Sequence, residues 1–77
     1  MNPLARTAKL DLLHQMNDEF KAVTGDGLYM YANCPNTDDD SGAEYFHFQG
    51  GHRATGIESA LSYMQDRLTA AGGTRHL

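Results

Sequence analysis

Hydrophobic positions follow two different spacings along the chain. Towards both ends, apolar residues recur every three or four positions, which is typical of helices that bury one face. In the middle, two short aromatic runs alternate between apolar and polar positions, which is typical of strands. The pattern therefore predicts the element order helix, strand, strand, helix.

The first helix is predicted over residues 4–23, with Pro3 in its first turn, where the missing N–H group costs nothing. Glycines at 25 and 27 end the helix, because glycine readily adopts the left-handed conformation that closes a C-terminus. Its apolar stripe consists of Ala5, Ala8, Leu12, Leu13, Met16, Phe20 and Val23.

The second helix is predicted to begin at a capping box, Thr55 to Glu58, in which the threonine hydroxyl accepts a hydrogen bond from a first-turn N–H. Gly72 and Gly73 stop this helix. Its apolar face consists of Ile57, Ala60, Leu61, Met64, Leu68 and Ala71.

The two strands are predicted within residues 28–33 and 44–49, and strict alternation divides their side chains between two faces. The face turned towards the core carries Leu28, Met30, Ala32, Phe46 and Phe48. The opposite face carries Tyr29, Tyr31, Tyr45 and His47. The second face is aromatic but has polar groups, which suits a surface that is wet alone and covered when bound.

A short antiparallel hairpin is the simplest way to join these strands through the turn-rich residues 34–42. The next segment has two interpretations: a plain loop, or a tight turn at Gly50 and Gly51 followed by a third strand at 52–54. The predicted fold class is α+β, a two-layer α-β-β-(β)-α domain over residues 1–77. Its small antiparallel sheet has two helices packed on one face.

The composition argues against some function classes. Ten acidic and six basic residues give a formal charge of −4, whereas a nucleic-acid binder needs a basic stripe. The acidic balance instead favours a basic protein partner. A lone cysteine, Cys34, fits a reducing cytoplasm, and no segment is long and apolar enough to span a membrane.

No arrangement of residues predicts a metal site or a cofactor. With Gly42 at the sixth position of a calcium loop, Phe48 falls where a bidentate glutamate is required. The four histidines lack the spacing of zinc ligands.

Catalysis is also not predicted. Cys34 and His47 could form a nucleophile–base pair, but nothing marks an oxyanion hole beside them. Gly50 to Arg53 could meet an anion at the following helix, yet the capping box already occupies that N-terminus. The chain is therefore predicted not to be an enzyme.

Two candidate binding features remain. The first is the tyrosine-rich face, because tyrosine is enriched at the centres of protein interfaces. The second is the acidic triplet, which could contact the arginines of a partner. The predicted partner-binding residues are Tyr29, Tyr31, Tyr45, His47, Asp38, Asp39 and Asp40.

The leading hypothesis is a small acidic, non-enzymatic protein-binding module. In size, charge and general α+β type the chain resembles the accessory proteins of phages and mobile elements, including anti-CRISPR inhibitors. That resemblance implies blockade of a larger, basic nucleic-acid-handling partner. The alternatives are a single-stranded nucleic-acid-binding module that stacks bases on the tyrosines, or an oligomerisation domain that forms a homodimer through open sheet edges.

Overall fold

The computed structural model describes residues 3–30 and 44–77, with side chains from Arg6 onward in the first range. It confirms the predicted α+β class, with two helices and a three-stranded antiparallel sheet. In chain order the elements are α1 (Pro3–Thr24), β1 (Tyr29–Met30), β2 (Tyr45–Phe48), β3 (Arg53–Thr55) and α2 (Ile57–Ala70).

The sheet has the strand order β1-β2-β3, so β2 is central and pairs with an antiparallel neighbour on each side. The third strand, which the sequence left undecided at 52–54, exists and covers Arg53–Thr55. A turn through Gly50 and Gly51 leads into it, and both glycines have positive φ angles, 89° and 87°. Only glycine adopts this backbone conformation readily, so the pair allows β2 to reverse directly into β3.

Both helices pack on one face of this sheet and form a single core with it. The predicted stripe of α1 is confirmed at its centre, where three residues are buried, but Val23 near the helix end is 46% exposed. The predicted face of α2 is confirmed at four buried positions. The core consists of Leu13, Met16, Phe20, Leu28, Tyr29, Phe46, Phe48, Ala54, Ala60, Leu61, Met64 and Leu68.

The predicted capping box at the start of α2 is wrong. Thr55 belongs to β3, and the N-cap is Gly56, which makes no side-chain capping hydrogen bond. The backbone N–H of Gly56 instead donates to the Glu44 carbonyl, which extends the pairing with β2. Glu58 does not reach back to a cap; its carboxylate accepts a 2.7 Å bond from Lys9 of α1. Thr55, which the local motif assigned to the helix, therefore pairs with β2 as part of β3.

The predicted alternation is also wrong for β1, by one residue. Tyr29 is only 8% exposed and belongs to the core, whereas Met30 is 67% exposed. The register agrees, because Tyr29 pairs with the buried Phe48 and Met30 pairs with His47. In the central strand the prediction is confirmed, since Phe46 and Phe48 are buried and the alternate residues are half-buried.

Asn17 of α1 explains the shift in β1. Its side-chain oxygen accepts hydrogen bonds from the consecutive N–H groups of Leu28 and Tyr29, at 2.9 and 2.8 Å. In a regular strand, successive N–H groups point to opposite sides, so two of them cannot share one acceptor. The chain is therefore still turning at these residues, and both side chains enter the core before alternation begins.

Residues 73–77 form a C-terminal strap across both helices. Glu19 of α1 accepts hydrogen bonds from the Thr74 N–H at 2.5 Å and from His76 Nε2 at 2.7 Å. Gln65 of α2 donates to the Thr74 carbonyl and accepts from the His76 N–H. Gln65 is the buried polar residue of the described core, and these bonds satisfy its amide.

The strap predicts a pH dependence of stability through Glu19. Hydrogen bonds from His76 and then Thr74 hold the pKa of the Glu19 carboxyl below its ordinary value of 4.5. A lowered pKa in the folded state means that the ionised form stabilises the fold at neutral pH, and that this contribution is lost as the pH falls through the folded pKa. We expect Glu19→Gln to lower the urea midpoint at neutral pH.

The difference between Glu19→Gln and the wild type should shrink once the pH is well below 4.5, because the wild-type carboxyl is then also uncharged. Urea titrations of both proteins at neutral and acid pH measure this. Asp18→Gln on the same helix is the control, since Asp18 is exposed. A difference that stays constant with pH would show that Glu19 acts only through its shape.

Candidate functional site

The face of the sheet that points away from both helices is the candidate functional site, and we call it the outer face. Among the described residues it consists of Met30, Tyr45, His47, Arg53 and Thr55. The strand register aligns Met30, His47 and Arg53 in one row across β1, β2 and β3. Tyr45 pairs with Thr55 in the neighbouring row. The antiparallel sheet therefore brings side chains from three separate segments into one patch.

Arg53 packs on Tyr45 within this patch. The guanidinium carbon lies 4.4 Å from the centre of the tyrosine ring. Such a cation–π contact contributes about 0.5–1 kcal/mol at an exposed site. It orients the guanidinium group over the ring. Because Arg53 and Tyr45 are on neighbouring strands, the contact depends on the third strand being in place.

Met30 gives the patch an exposed apolar group. A single exposed apolar side chain is ordinary on a protein surface. Here, however, its direct neighbour across the strand pair is His47, and the next residue in the row is Arg53. Methionine, tyrosine and arginine are the residue types enriched at protein–protein interfaces. The outer face therefore has the composition of a contact surface rather than of a solvated one.

Of the predicted partner-binding residues, two lie together on the outer face and a third lies in the core. Tyr45 and His47 lie side by side on the outer face, as predicted. Tyr29 does not join them. Its ring packs in the core against Phe46 and Phe48, with ring centres 6.1 and 5.6 Å away.

The remaining predicted partner-binding residues lie outside the described residues. These are Tyr31, Asp38, Asp39 and Asp40. Cys34, the candidate nucleophile, lies in the same segment, so its pairing with His47 stays untested.

Sequence reasoning missed Met30 and Arg53. Alternation from Leu28 placed Met30 in the core, and nothing local marked the turn at Leu28 and Tyr29 that reverses this assignment. Arg53 lies in the segment that the sequence allows to be either a loop or a strand. The paired glycines are the available signal for that strand, but a two-residue turn at Gly50 and Gly51 would pair Arg53 with Phe48, whereas the register of the structure pairs it with His47.

A second aromatic cluster lies on the other side of the sheet and is structural in character. The His52 ring stacks on Tyr63 of α2, with ring centres 3.8 Å apart and an angle of 10° between the planes. Phe48 meets Tyr63 edge-on at 4.9 Å. Arg67 donates a 2.8 Å hydrogen bond to the Tyr63 hydroxyl. These contacts fasten the turn between β2 and β3 to α2, and so hold the outer-face hairpin in position.

The charge of the protein is unevenly distributed along the sequence. Three of the ten acidic residues stand at 38–40, which leaves seven acidic and six basic residues in the rest of the chain. Arg6 and Lys9 of α1 form ion pairs with Glu44 and Glu58. The described part of the outer face includes Arg53 but no carboxylate. Most of the net negative charge therefore belongs to the acidic triplet, and the described outer face is neutral to positive.

No group of three metal-binding side chains occurs among the residues that the structure describes. Within the same residues, neither helix offers a stretch long and apolar enough to cross a membrane. No protein-family model, curated protein or solved structure matches this chain. The function therefore has to be inferred from the outer face itself.

Proposed function

We propose that this protein is a small non-enzymatic protein-binding module that docks on a larger partner through its outer face. The observation that carries the proposal is the row of Met30, His47 and Arg53 across three strands, with Tyr45 packed beside it. Both helices occupy the opposite face, so a partner could reach this row without displacing the core.

The energetics of interfaces support this assignment. Most of the binding free energy of an interface comes from a few residues, and tyrosine and arginine are prominent among them. The arginine is already oriented by its tyrosine neighbour, and a side chain oriented before binding loses less conformational entropy. Each rotamer-rich side chain that is immobilised on binding costs about 0.5–1.5 kcal/mol, so this preorganisation favours association.

The charge supports a more specific form of the proposal, in which the partner is a larger, basic protein that handles nucleic acid. Residues 38–40 supply three adjacent carboxylates, and the whole chain carries a net charge of −4. A compact acidic protein is attracted to the basic surface on which such a partner binds phosphates. Occupying that surface would inhibit the partner, as in the anti-CRISPR inhibitors that the chain resembles in size and charge.

The proposal is tested by affinity capture from a bacterial lysate treated with nuclease, comparing the wild type with variants that remain folded. We expect a specific partner to be captured by the wild type and lost with Met30→Asp. Val23→Asp is the matched control, because it also places a carboxylate at an exposed apolar position, but on α1. Equal capture by Met30→Asp and the wild type would contradict docking through the outer face.

The basic partner is tested in the same experiment with a variant in which Asp38, Asp39 and Asp40 are all replaced by asparagine. We expect weaker capture and a smaller dependence on salt, since fewer charges would then contribute to association. If neither the amount captured nor its dependence on salt changes, the partner is not recognised through a basic surface, and only docking through the outer face stands.

Single-stranded nucleic acid is the second candidate ligand, because Tyr45 and His47 are neighbouring rings that could stack bases. A phosphate backbone, however, requires several cations, and the described outer face offers only Arg53 and the histidine. Filter binding of an oligonucleotide at low salt separates the two candidates. Micromolar, salt-dependent binding that is lost with Tyr45→Ala would favour the nucleic acid.

A further inference from the structure

Arg53 has binding capacity that the described protein does not use. Its guanidinium group carries five N–H donors. None of them donates to an acceptor among the described residues, where the one contact of the group is the Tyr45 ring. The side chain is exposed, and β3 is an edge strand, so the donors can be reached from outside. An oriented guanidinium with vacant donors is a binding site for a planar anion.

We infer that the outer face recognises a carboxylate-bearing segment of its protein partner, with Arg53 binding an aspartate or glutamate side chain and Met30 contacting an apolar side chain beside it. This inference rests on the proposed function and names the chemistry of the contact. Carboxylate is the natural match, because its two oxygens accept the parallel N–H groups of a guanidinium fork. His47, between the two residues in the row, offers a further nitrogen donor.

The strand register fixes the spacing that the partner must present. Met30 and Arg53 are on the two outer strands and are separated by β2. Neighbouring strands are about 4.8 Å apart, so the two side chains stand about 10 Å apart across the sheet. A segment in the polyproline II conformation, which rises about 3.1 Å per residue with three residues per turn, covers that distance in about three residues and keeps both side chains on one side. The expected motif is therefore an acidic residue with an apolar residue about three positions away.

A protein carboxylate fits this site better than a nucleic-acid phosphate. The described outer face carries one guanidinium and no lysine, whereas a nucleic-acid strand presents a row of charges that demands several cations. The chain as a whole has a formal charge of −4, which repels a polyanion but only weakly opposes a single carboxylate. An exposed methionine next to the cation also favours an acidic segment that contains an apolar residue.

The two contacts together would orient the partner. In the proposed function, basic groups of the partner meet the acidic triplet, while a carboxylate of the partner meets Arg53. Complementary charges of both signs suppress other orientations and fix the register of a complex. A partner that satisfies only one of them should bind more weakly.

A display library of random peptides, selected on the immobilised intact protein, tests the inference. Enriched peptides should carry an aspartate or glutamate about three positions from an apolar residue. Each is then synthesised in two forms, one with the acidic residue and one with asparagine or glutamine in its place. Titration calorimetry should show that the amide form binds the wild type at least about tenfold more weakly.

Variants of the protein test the role of Arg53 in the same binding. Arg53→Gln should reduce binding of the acidic peptide by at least about tenfold, and Arg53→Lys should restore part of it, because lysine keeps the charge but not the fork. Arg75→Gln is the matched control, since Arg75 is also an exposed arginine, but on the C-terminal strap away from the outer face. It should bind like the wild type. Circular dichroism establishes that each variant is folded.

The possible failures are distinguishable. If enriched peptides lose binding with Met30→Asp but show no preference for a carboxylate, the carboxylate inference is overturned and docking through the outer face stands. If no peptide binds in a way that depends on Met30, both the inference and the proposed function are overturned. If an oligothymidylate binds through Arg53 and the acidic peptide does not compete, the site serves phosphate and the inference is again overturned.

Discussion

Tyr29→Ala is expected to destabilise the protein by about 3–5 kcal/mol, whereas Met30→Ala should leave its stability almost unchanged. Tyr29 is 8% exposed and packs against two phenylalanines, while its neighbour Met30 is 67% exposed. Replacing a buried aromatic residue by alanine costs about 3–5 kcal/mol. Surface substitutions usually stay within about 0.5 kcal/mol. A chain this small has a limited core, so a loss of that size removes much of its total stability.

Urea unfolding followed by circular dichroism measures the free energy of unfolding for both variants. Tyr29→Phe is the control, because it keeps the buried ring and should retain most of the wild-type stability. If Met30→Ala were the more destabilising change, Met30 would be the buried residue and Tyr29 the exposed one, as simple alternation from Leu28 predicts. That result would also remove Met30 from the outer face.

This expected result determines how the binding surface should be mutated. Tyr29→Ala would lose binding through loss of stability, and so would not report on the interface. Tyr45 and Met30 are the informative positions, because both lie on the outer face and neither is in the core. Effects on binding can therefore be separated from effects on folding only when Tyr29 is assigned to the core and Met30 to the outer face.

The helices were predictable from the sequence because their signal is repeated many times. In α2, Ala60, Leu61, Met64 and Leu68 all recur at helical spacing, so one misleading residue would not change the assignment. The start of the same helix had no such redundancy. It depended on a four-residue motif, and pairing with β2 drew Thr55 into a strand instead.

The candidate site could be predicted only in part, for the same reason. Tyr45 and His47 lie in β2, where alternation with two buried phenylalanines determines the face. Met30 lies in β1, of which two residues are described, and the alternation over residues 28–33 assigns it to the wrong face. Its orientation depends on a contact with α1 that is distant in sequence. Arg53 required knowledge of which strand β3 pairs with, and local patterns do not contain that information.

Asn17→Ala is expected to destabilise the protein by about 2–6 kcal/mol, since it removes the acceptor of two N–H groups at buried residues, each of which costs about 1–3 kcal/mol when left unpaired. These are the amides of Leu28 and Tyr29, which the Asn17 oxygen binds at 2.9 and 2.8 Å. Asn17→Asp is the matched control, because a carboxylate oxygen can accept the same bonds, and it should be clearly more stable in urea.

Hydrogen exchange of the Leu28 and Tyr29 amides should accelerate in Asn17→Ala more than in Asn17→Asp, because only the alanine variant lacks an acceptor. We infer that the same two bonds set the orientation of β1. In the alanine variant the contrast between a buried Tyr29 and an exposed Met30 should therefore also be reduced. Equal stability of the two variants would mean that water replaces the Asn17 oxygen. The phase of β1, and with it the place of Met30 on the outer face, would then need another cause.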